Sequence, residues 1–332
     1  MTEKKNVYGL GLESSCDETA AAVICNGEKI LSNRIFSQIE LHSDFSGVVP
    51  EIASRAHLEK INNLIDEALE EAGLTFDDLN YVAATNRPGL MGSLMIALQT
   101  AKTISYVKKI PLIAVNHLEA HLYAPFLEGN SPEYPFIGLL ISGGNTSLYR
   151  VNGIGDMGLL GRTVDDAVGE AYDKVSKFLG LGYPGGPVIE KIAETAVKKE
   201  KLFPKILTKP GDKRFSYSGL KTAVINYLKE NPEAEKKEVV YSFQESALEL
   251  LIRRTFSAAR ENNIDTIVVA GGVAANGRLR NLLYEKKNKN ERILIPSVLL
   301  CTDNAAMISG IAYHYYIQGK FNSLETEVHS KL

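Results

Sequence analysis

The sequence has no apolar run approaching the roughly 20 residues a membrane-spanning helix requires, so no association with membrane is expected. Cysteine is scarce: Cys16, Cys25 and Cys301 lie far apart, with no CxxC pair. That excludes a disulfide framework or a zinc ribbon as the organising device. The polar stretch Met1–Asn6 leads into a glycine-broken apolar run stopped by Glu13, which is not the layout of a secretory or transit peptide. These features predict a cytoplasmic protein. An excess of positive charge is also missing, with 37 Lys and Arg against 40 Asp and Glu. A protein that grips nucleic acid unaided is usually basic. A nucleic-acid substrate would therefore need positive surface from a partner, or from a patch such as Lys198, Lys199 and Lys201, which reads more simply as a solvated helix face. There is no Walker A lysine pattern and no six-position dinucleotide fingerprint.

What is present is an alternation of strand and helix patterns, which makes the class α/β. Val7–Glu13, Ala20–Cys25 and Lys29–Asn33 read as a three-strand meander with a turn at Asn26-Gly27. Leu58, Ile61, Leu64, Ile65, Ala68, Leu69 and Ala72 recur at helical spacing and Gly73 closes that helix. A strand at Tyr81–Thr85, a helix at Ser93–Val107 that is apolar on most faces and so expected to be buried, and a strand at Pro111–Asn116 follow. The order then restarts, with strands at Pro135–Ser142, Thr146–Val151 and near Gly158–Gly161. Helices at Asp165–Leu179 and Val239–Asn262, a strand at Ile264–Ala270, a helix at Ala274–Lys287, a strand at Arg292–Ile295 and a helix at Asp303–Gln318 complete it. Leu202–Phe215 reads as a loop. The chain, long enough for about two domains, is thus two copies of one plan: 1–118 completed by 303–332, and 119–302. That plan is similar to the actin, Hsp70 and sugar-kinase folds, two mixed sheets flanked by helices whose lobes face a nucleotide cleft.

The sharpest local signal is His117-Leu-Glu-Ala-His121, after a strand and entering a helix. Spacing of four puts both imidazoles on one helix face, as two ligands of one metal require; a pair of surface or core histidines would read the same way. Glu119 lies about 200° around the helix from His117 at ~3.6 residues per turn, so it cannot serve as the base of a zincin-type protease. Asp303 reads as a helix N-cap or as a third, carboxylate ligand, and two His with one carboxylate leave coordination positions open, as a catalytic iron or zinc site does. Four small or polar turns, Glu13–Thr19, Ser142–Thr146, Pro184–Pro187 and Gly271–Asn276, sit at strand ends. Each is a tight turn or a phosphate contact. Asp17, Glu18, Asp165, Asp166 and Asp173 flank them, and one could activate a nucleophile or hold a sugar.

Taken together, Gly11-Leu-Glu-Ser-Ser-Cys-Asp-Glu-Thr19, the run Gly47–His57, His117–His121, Ser142-Gly-Gly144, Asp165–Lys174, Tyr183–Pro187, Phe215–Lys221, Gly271–Asn276 and Cys301–Asn304 resemble the bacterial TsaD proteins. These are tRNA N6-adenosine threonylcarbamoyltransferases, once labelled O-sialoglycoprotein endopeptidases. The resemblance runs in order from residue 7 to about 320. It implies transfer of threonylcarbamoyl from threonylcarbamoyl-AMP to N6 of adenosine 37 in tRNAs reading ANN codons. It implies one Fe2+ or Zn2+ on His117, His121 and Asp303, and an adenylate site lined by Leu140, Ile141, Ser142, Gly143, Gly144, Asp173, Gly186, Glu190 and Asn276, with Asp173 and Glu190 on ribose hydroxyls. Asp17, and after it Glu18, are the expected catalytic base or orienting acid. The implied partners are tRNA, the paralogue TsaB on the helices that include the Glu51–Gly73 region, and the ATPase TsaE. Three positions depart from the family: Arg87 before Pro88-Gly89 in place of Gly, Asn145 in place of His, and Glu190 in place of the commoner Asp. The alternatives are a nucleotide-binding scaffold without activity and an ATPase or kinase of the same fold; neither has a use for the His pair.

Overall fold

A computed structural model describes residues 6–43, 45, 47–203 and 211–331. Part of the loop expected at Leu202–Phe215, residues 204–210, lies outside the described residues. The chain divides into two units, Met1–Ser131 with Thr302–Leu332, and Pro132–Cys301.

In the first unit β1 (Tyr8–Glu13), β2 (Glu18–Cys25) and β3 (Lys29–Ser37) form an antiparallel meander. Asn26 and Gly27 both take positive φ at the β2–β3 turn, which matches the right-handed twist of the flanking strands. A short helix α1 (Ile39–Ser43) leads to α2 (Pro50–Ala72). Pro50 opens α2 and Gly73, at φ 64°, closes it. Then come β4 (Tyr81–Arg87), α3 (Met91–Lys108), β5 (Leu112–Asn116) and α4 (His117–Tyr123). The sheet order is β3-β2-β1-β4-β5, with β1, β4 and β5 parallel. Ala53, Ile61, Leu64, Ile65, Ala68 and Leu69 bury the inner stripe of α2. Leu58, counted in that stripe from spacing, is 63% exposed. The helix α3 is not buried all round: Leu94, Ala97, Leu98 and Ala101 face the core, while Met91, Met95, Tyr106 and Val107 face outward.

The last helix, Ala305–Ile317, returns to this unit with Ala305 through Ala312 all buried. It lies directly on β1. A Cβ on Gly11 would overlap the Ala305 carbonyl oxygen and sit 2.7 Å from Ser309 N. Ser309 Oγ donates to Gly9 O at 2.8 Å, and Tyr81 Oη donates to Ser309 O at 2.7 Å. Residues 119–131, placed in the second lobe from sequence, belong to the first unit. They pack on the last helix, where Tyr123 Oη meets His314 Nε2 at 2.8 Å and Leu127 fits against Gly310.

The second unit repeats the plan. β6 (Phe136–Ile141), β7 (Thr146–Gly153) and β8 (Asp156–Arg162) form its meander. The helices α5 (Val168–Leu179), α6 (Gly185–Glu194), α7 (Ser218–Glu230) and α8 (Lys236–Glu261) follow. β9 (Thr266–Ala270), α9 (Gly277–Lys286), β10 (Arg292–Leu294) and α10 (Val298–Cys301) end it. The order β10-β9-β6-β7-β8 is that of the first sheet, read from the other edge. The helices α6 and α7 were not read from sequence, because each opens in a Gly- or Ser-rich segment that looks like a turn.

Gly11→Ala should lower the free energy of unfolding by about 1–3 kcal/mol, the usual cost of forcing extra atoms into a packed contact. The measurement is a urea transition, with a lower midpoint at unchanged slope.

Candidate active site

The strand β5 ends at Asn116, whose Oδ1 accepts from Leu118 N at 3.0 Å and so starts α4 at His117. One turn later comes His121. The two Nε2 atoms face each other at 3.2 Å, and Asp303 Oδ1 lies 3.0 Å from His121 Nε2 and 3.5 Å from His117 Nε2. Asp303 is not the N-cap of the last helix: Asn304 is, accepting from Met307 N at 3.0 Å. That leaves the Asp303 carboxylate turned toward the imidazoles.

These atoms fit a metal. Around an ion with bonds of about 2.1 Å, adjacent donor atoms stand about 3.0 Å apart at right angles and about 3.4 Å at the tetrahedral angle. The spacings here match. Two imidazole lone pairs that face each other also need a proton or a cation between them. Burial opposes charge on His117, but Asp303 and Glu13 outweigh it and raise its affinity for a proton. Burial, then the neighbouring His117, lower that of His121. Burial would raise Asp303, yet His117 and His121 hold its carboxyl far below the usual range. Glu119 accepts from Tyr315 Oη at 2.8 Å, so it is engaged elsewhere.

Asp17 ends the β1–β2 turn of the same unit and Glu18 opens β2, and hydrogen bonds from several elements fix the turn. Ser14 Oγ donates to Ser93 O at 2.6 Å, Leu90 N to Ser15 O at 2.8 Å, and Gln38 N to Asp17 O at 3.0 Å. His57, fully buried on α2, donates from Nε2 to Cys16 O at 3.0 Å and accepts at Nδ1 from Thr19 Oγ1 at 2.7 Å. Behind it, Gln38 links to a second buried imidazole, His42, at 3.2 Å. Glu18 accepts from Ser37 Oγ at 3.1 Å. Burial first, then Asp303 and Asp17, push the Glu18 carboxyl up to about 10. Sequence reasoning gave no role to Glu13 or His57. The available signal was a charged or titratable residue inside an otherwise apolar pattern.

The other expected residues gather in the second unit. Leu140 and Ile141 are buried at the end of β6, and Ser142 through Asn145 make its turn into β7, with Ser142 N donating to Asn145 O at 2.8 Å and Gly143 and Gly144 exposed. Gly169, at the start of α5, packs on that turn: a Cβ there would sit 2.7 Å from Ser142 O. Gly271, at φ 92°, abuts Ile141 O. Asp173 accepts from Gly185 N at 2.7 Å at the start of α6, where Gly186 faces open space. Glu190 accepts from Gly277 N at 2.6 Å, and Asn276 Oδ1 from Leu279 N at 2.8 Å, both at the start of α9. Asp165 and Asp166 do structural work instead. Asp165 accepts from Tyr217 N and Ser218 Oγ, both at 2.8 Å, and also from Ser216 Oγ. Asp166 pairs with Lys174 at 2.5 Å and Lys221 at 2.9 Å. Of the departures, Asn145 accepts from Ser147 Oγ at 2.9 Å, and Arg87 is exposed at the end of β4.

The model of the family described as TsaD, tRNA N6-adenosine threonylcarbamoyltransferase, matches residues 29–310. A Treponema denticola protein named tRNA N6-adenosine threonylcarbamoyltransferase is 49% identical, covering 97% of this chain and 96% of its own. One of the same name from Clostridium perfringens is 47% identical, covering 95% and 94%. Among solved structures, T. kodakarensis HypF aligns with a TM-score of 0.66 at 14% identity, covering 95% of this chain and 48% of its own. Component A of the Acidaminococcus fermentans (R)-2-hydroxyglutaryl-CoA dehydratase aligns at 0.58 and 16%, covering 94% and 99%. The structural matches show the fold of two helix-flanked mixed sheets. The family model and the relatives' identity over nearly the whole chain show that it belongs to the TsaD family of tRNA N6-adenosine threonylcarbamoyltransferases.

Proposed function

We propose that the chain moves the threonylcarbamoyl group of threonylcarbamoyl-AMP to N6 of adenosine 37 in tRNAs reading ANN codons, at a metal site made by His117, His121 and Asp303. The observation that carries this reading is the convergence of two imidazole nitrogens and one carboxylate oxygen within 4.8 Å. An Fe2+ or Zn2+ ion held there would supply Lewis-acid polarisation of a substrate oxygen. The adenine amine is a poor nucleophile, so its attack also calls for a base. Asp17 is that base or orienting acid in this reading, held in place by the His57 and Gln38 contacts to its turn. Glu18, second choice for the base, suits the opposite role, because burial first and then Asp303 and Asp17 push its carboxyl upward and favour the protonated, donating form.

The adenylate is assigned to Leu140–Gly144, Asp173, Gly186, Glu190 and Asn276. Exposed glycine backbone at Gly143-Gly144 admits a phosphate closely, and α6 and α9 start beside the assigned polar residues. The outward apolar residues of α2 and α3, Leu58, Met91, Met95 and Tyr106, support docking of a TsaB-type paralogue there. A TsaE-type ATPase and a separate adenylate-forming enzyme complete the reading. Among the described residues no helix is long and apolar enough to cross a membrane.

A reconstituted assay with the partner proteins, labelled threonine, bicarbonate, ATP and an ANN-decoding tRNA tests the reading. Label should enter the tRNA and a chelator should block it; no label, with every other component shown active, overturns it. His117→Ala should abolish transfer in a folded protein, and Asp17→Asn should lower kcat by about a hundredfold or more. Glu18 also sets a pH dependence. Its folded carboxyl keeps the proton up to about 10, whereas the unfolded one loses it near 4.5. The native state thus loses stability as pH rises between those values. In metal-stripped protein, where the Asp303 charge is uncompensated by an ion, Glu18→Gln should raise Tm by an increment that grows from pH 5 to pH 8, and an increment flat in pH would contradict the assigned protonation.

A further inference from the structure

We infer that Glu13 is a positioning residue for the metal centre, acting through His117; the inference rests on the metal reading above. Glu13 is the last residue of β1 and is fully buried. Its Oε1 accepts from Ser15 N at 2.6 Å. Its Oε2 accepts from Thr85 Oγ1 at 2.5 Å and faces His117 Nδ1 at 3.1 Å. A carboxylate is costly to bury without such partners, and an apolar side chain at a strand end in this core would pack without that cost. What the carboxylate provides is orientation. With a carboxylate at Nδ1, the proton of neutral His117 sits on that nitrogen, and the Nε2 lone pair points toward His121 Nε2 and Asp303 Oδ1. The contact also makes the ring a stronger donor to a cation.

The support is one-sided, which makes it testable. Among the described residues His121 Nδ1 is buried without a hydrogen-bond partner, whereas His117 is braced from behind by Glu13. Charge points the same way. A divalent ion with two neutral imidazoles and Asp303 alone would leave one positive charge buried; Glu13 brings the set to neutrality. The Ser15 hydroxyl lies 3.2 Å from the same His117 nitrogen, but it carries no charge. In Glu13→Gln, three groups that donate to the carboxylate would meet an amide with only one acceptor oxygen, and the amide NH2 would oppose a donor.

The experiment is a Zn2+ titration of metal-stripped full-length protein against a chromophoric chelator, with circular dichroism and thermal unfolding to check the fold. Glu13→Gln should bind Zn2+ about 10–100-fold more weakly than wild type, the range for loss of a carboxylate behind a ligating histidine. In a His117→Ala background the same substitution should change the residual affinity no further. A folded Glu13→Gln protein with wild-type Zn2+ affinity, or an equal loss in the His117→Ala background, overturns the inference while leaving the metal reading intact. Wild type that takes up no Zn2+ overturns the metal reading and this inference with it. Should Glu13→Gln fail to fold, nitrogen NMR of the histidines in Zn2+-loaded wild type decides. Protonated Nδ1 and ligated Nε2 on His117 support the inference, and ligation through Nδ1 overturns it.

Discussion

The close seating of the last helix on β1 is the contact on which the first unit's chemistry depends. Gly11 has no side chain to hold the helix off, and Ser309 and Tyr81 tie the helix backbone to the sheet. Asp303 stands just before that helix, so the contact that buries Ala305 and Ala306 also delivers a carboxylate to His121 from 182 residues away in sequence. The cap by Asn304 matters as much. It satisfies the helix start and leaves the Asp303 oxygens for the imidazoles.

A second layer of buried polar groups holds what the first brings together. Glu13, Thr85 and His117 come from the ends of neighbouring parallel strands, which is where loops carrying function collect in open α/β sheets. His57, Gln38 and His42 do the equivalent work for the turn bearing Asp17 and Glu18. Such groups are expensive to bury and need full pairing. Their presence inside α2 and β1, where an apolar side chain would fold more readily, marks those positions as serving the site rather than the core.

In the second unit several acids that look chemical in sequence are spent on architecture. Asp165 and Asp166 fasten the start of α7, so the Asp165–Lys174 and Phe215–Lys221 motifs are two halves of one joint. Asp173, Glu190 and Asn276 hold the starts of α6 and α9.

The sequence by itself determined the α/β class, the duplicated plan, most strand positions and the His117–His121 pair, because period-2 and period-3.6 patterns and an i, i+4 spacing are local properties. Motif order was enough for the family. It could not say whether Asp303 caps the last helix or turns toward the histidines, since both readings suit a polar residue before a helix; only the tertiary structure, with Asn304 as the cap and Asp303 against His121, decided. It placed Leu58 in a buried stripe and α3 in the core because spacing does not say how much of a helix its neighbours cover. Nor could it give a role to Glu13 or His57. Their partners lie on other strands and helices, and a buried hydrogen bond across such distances exists only once the chain has folded.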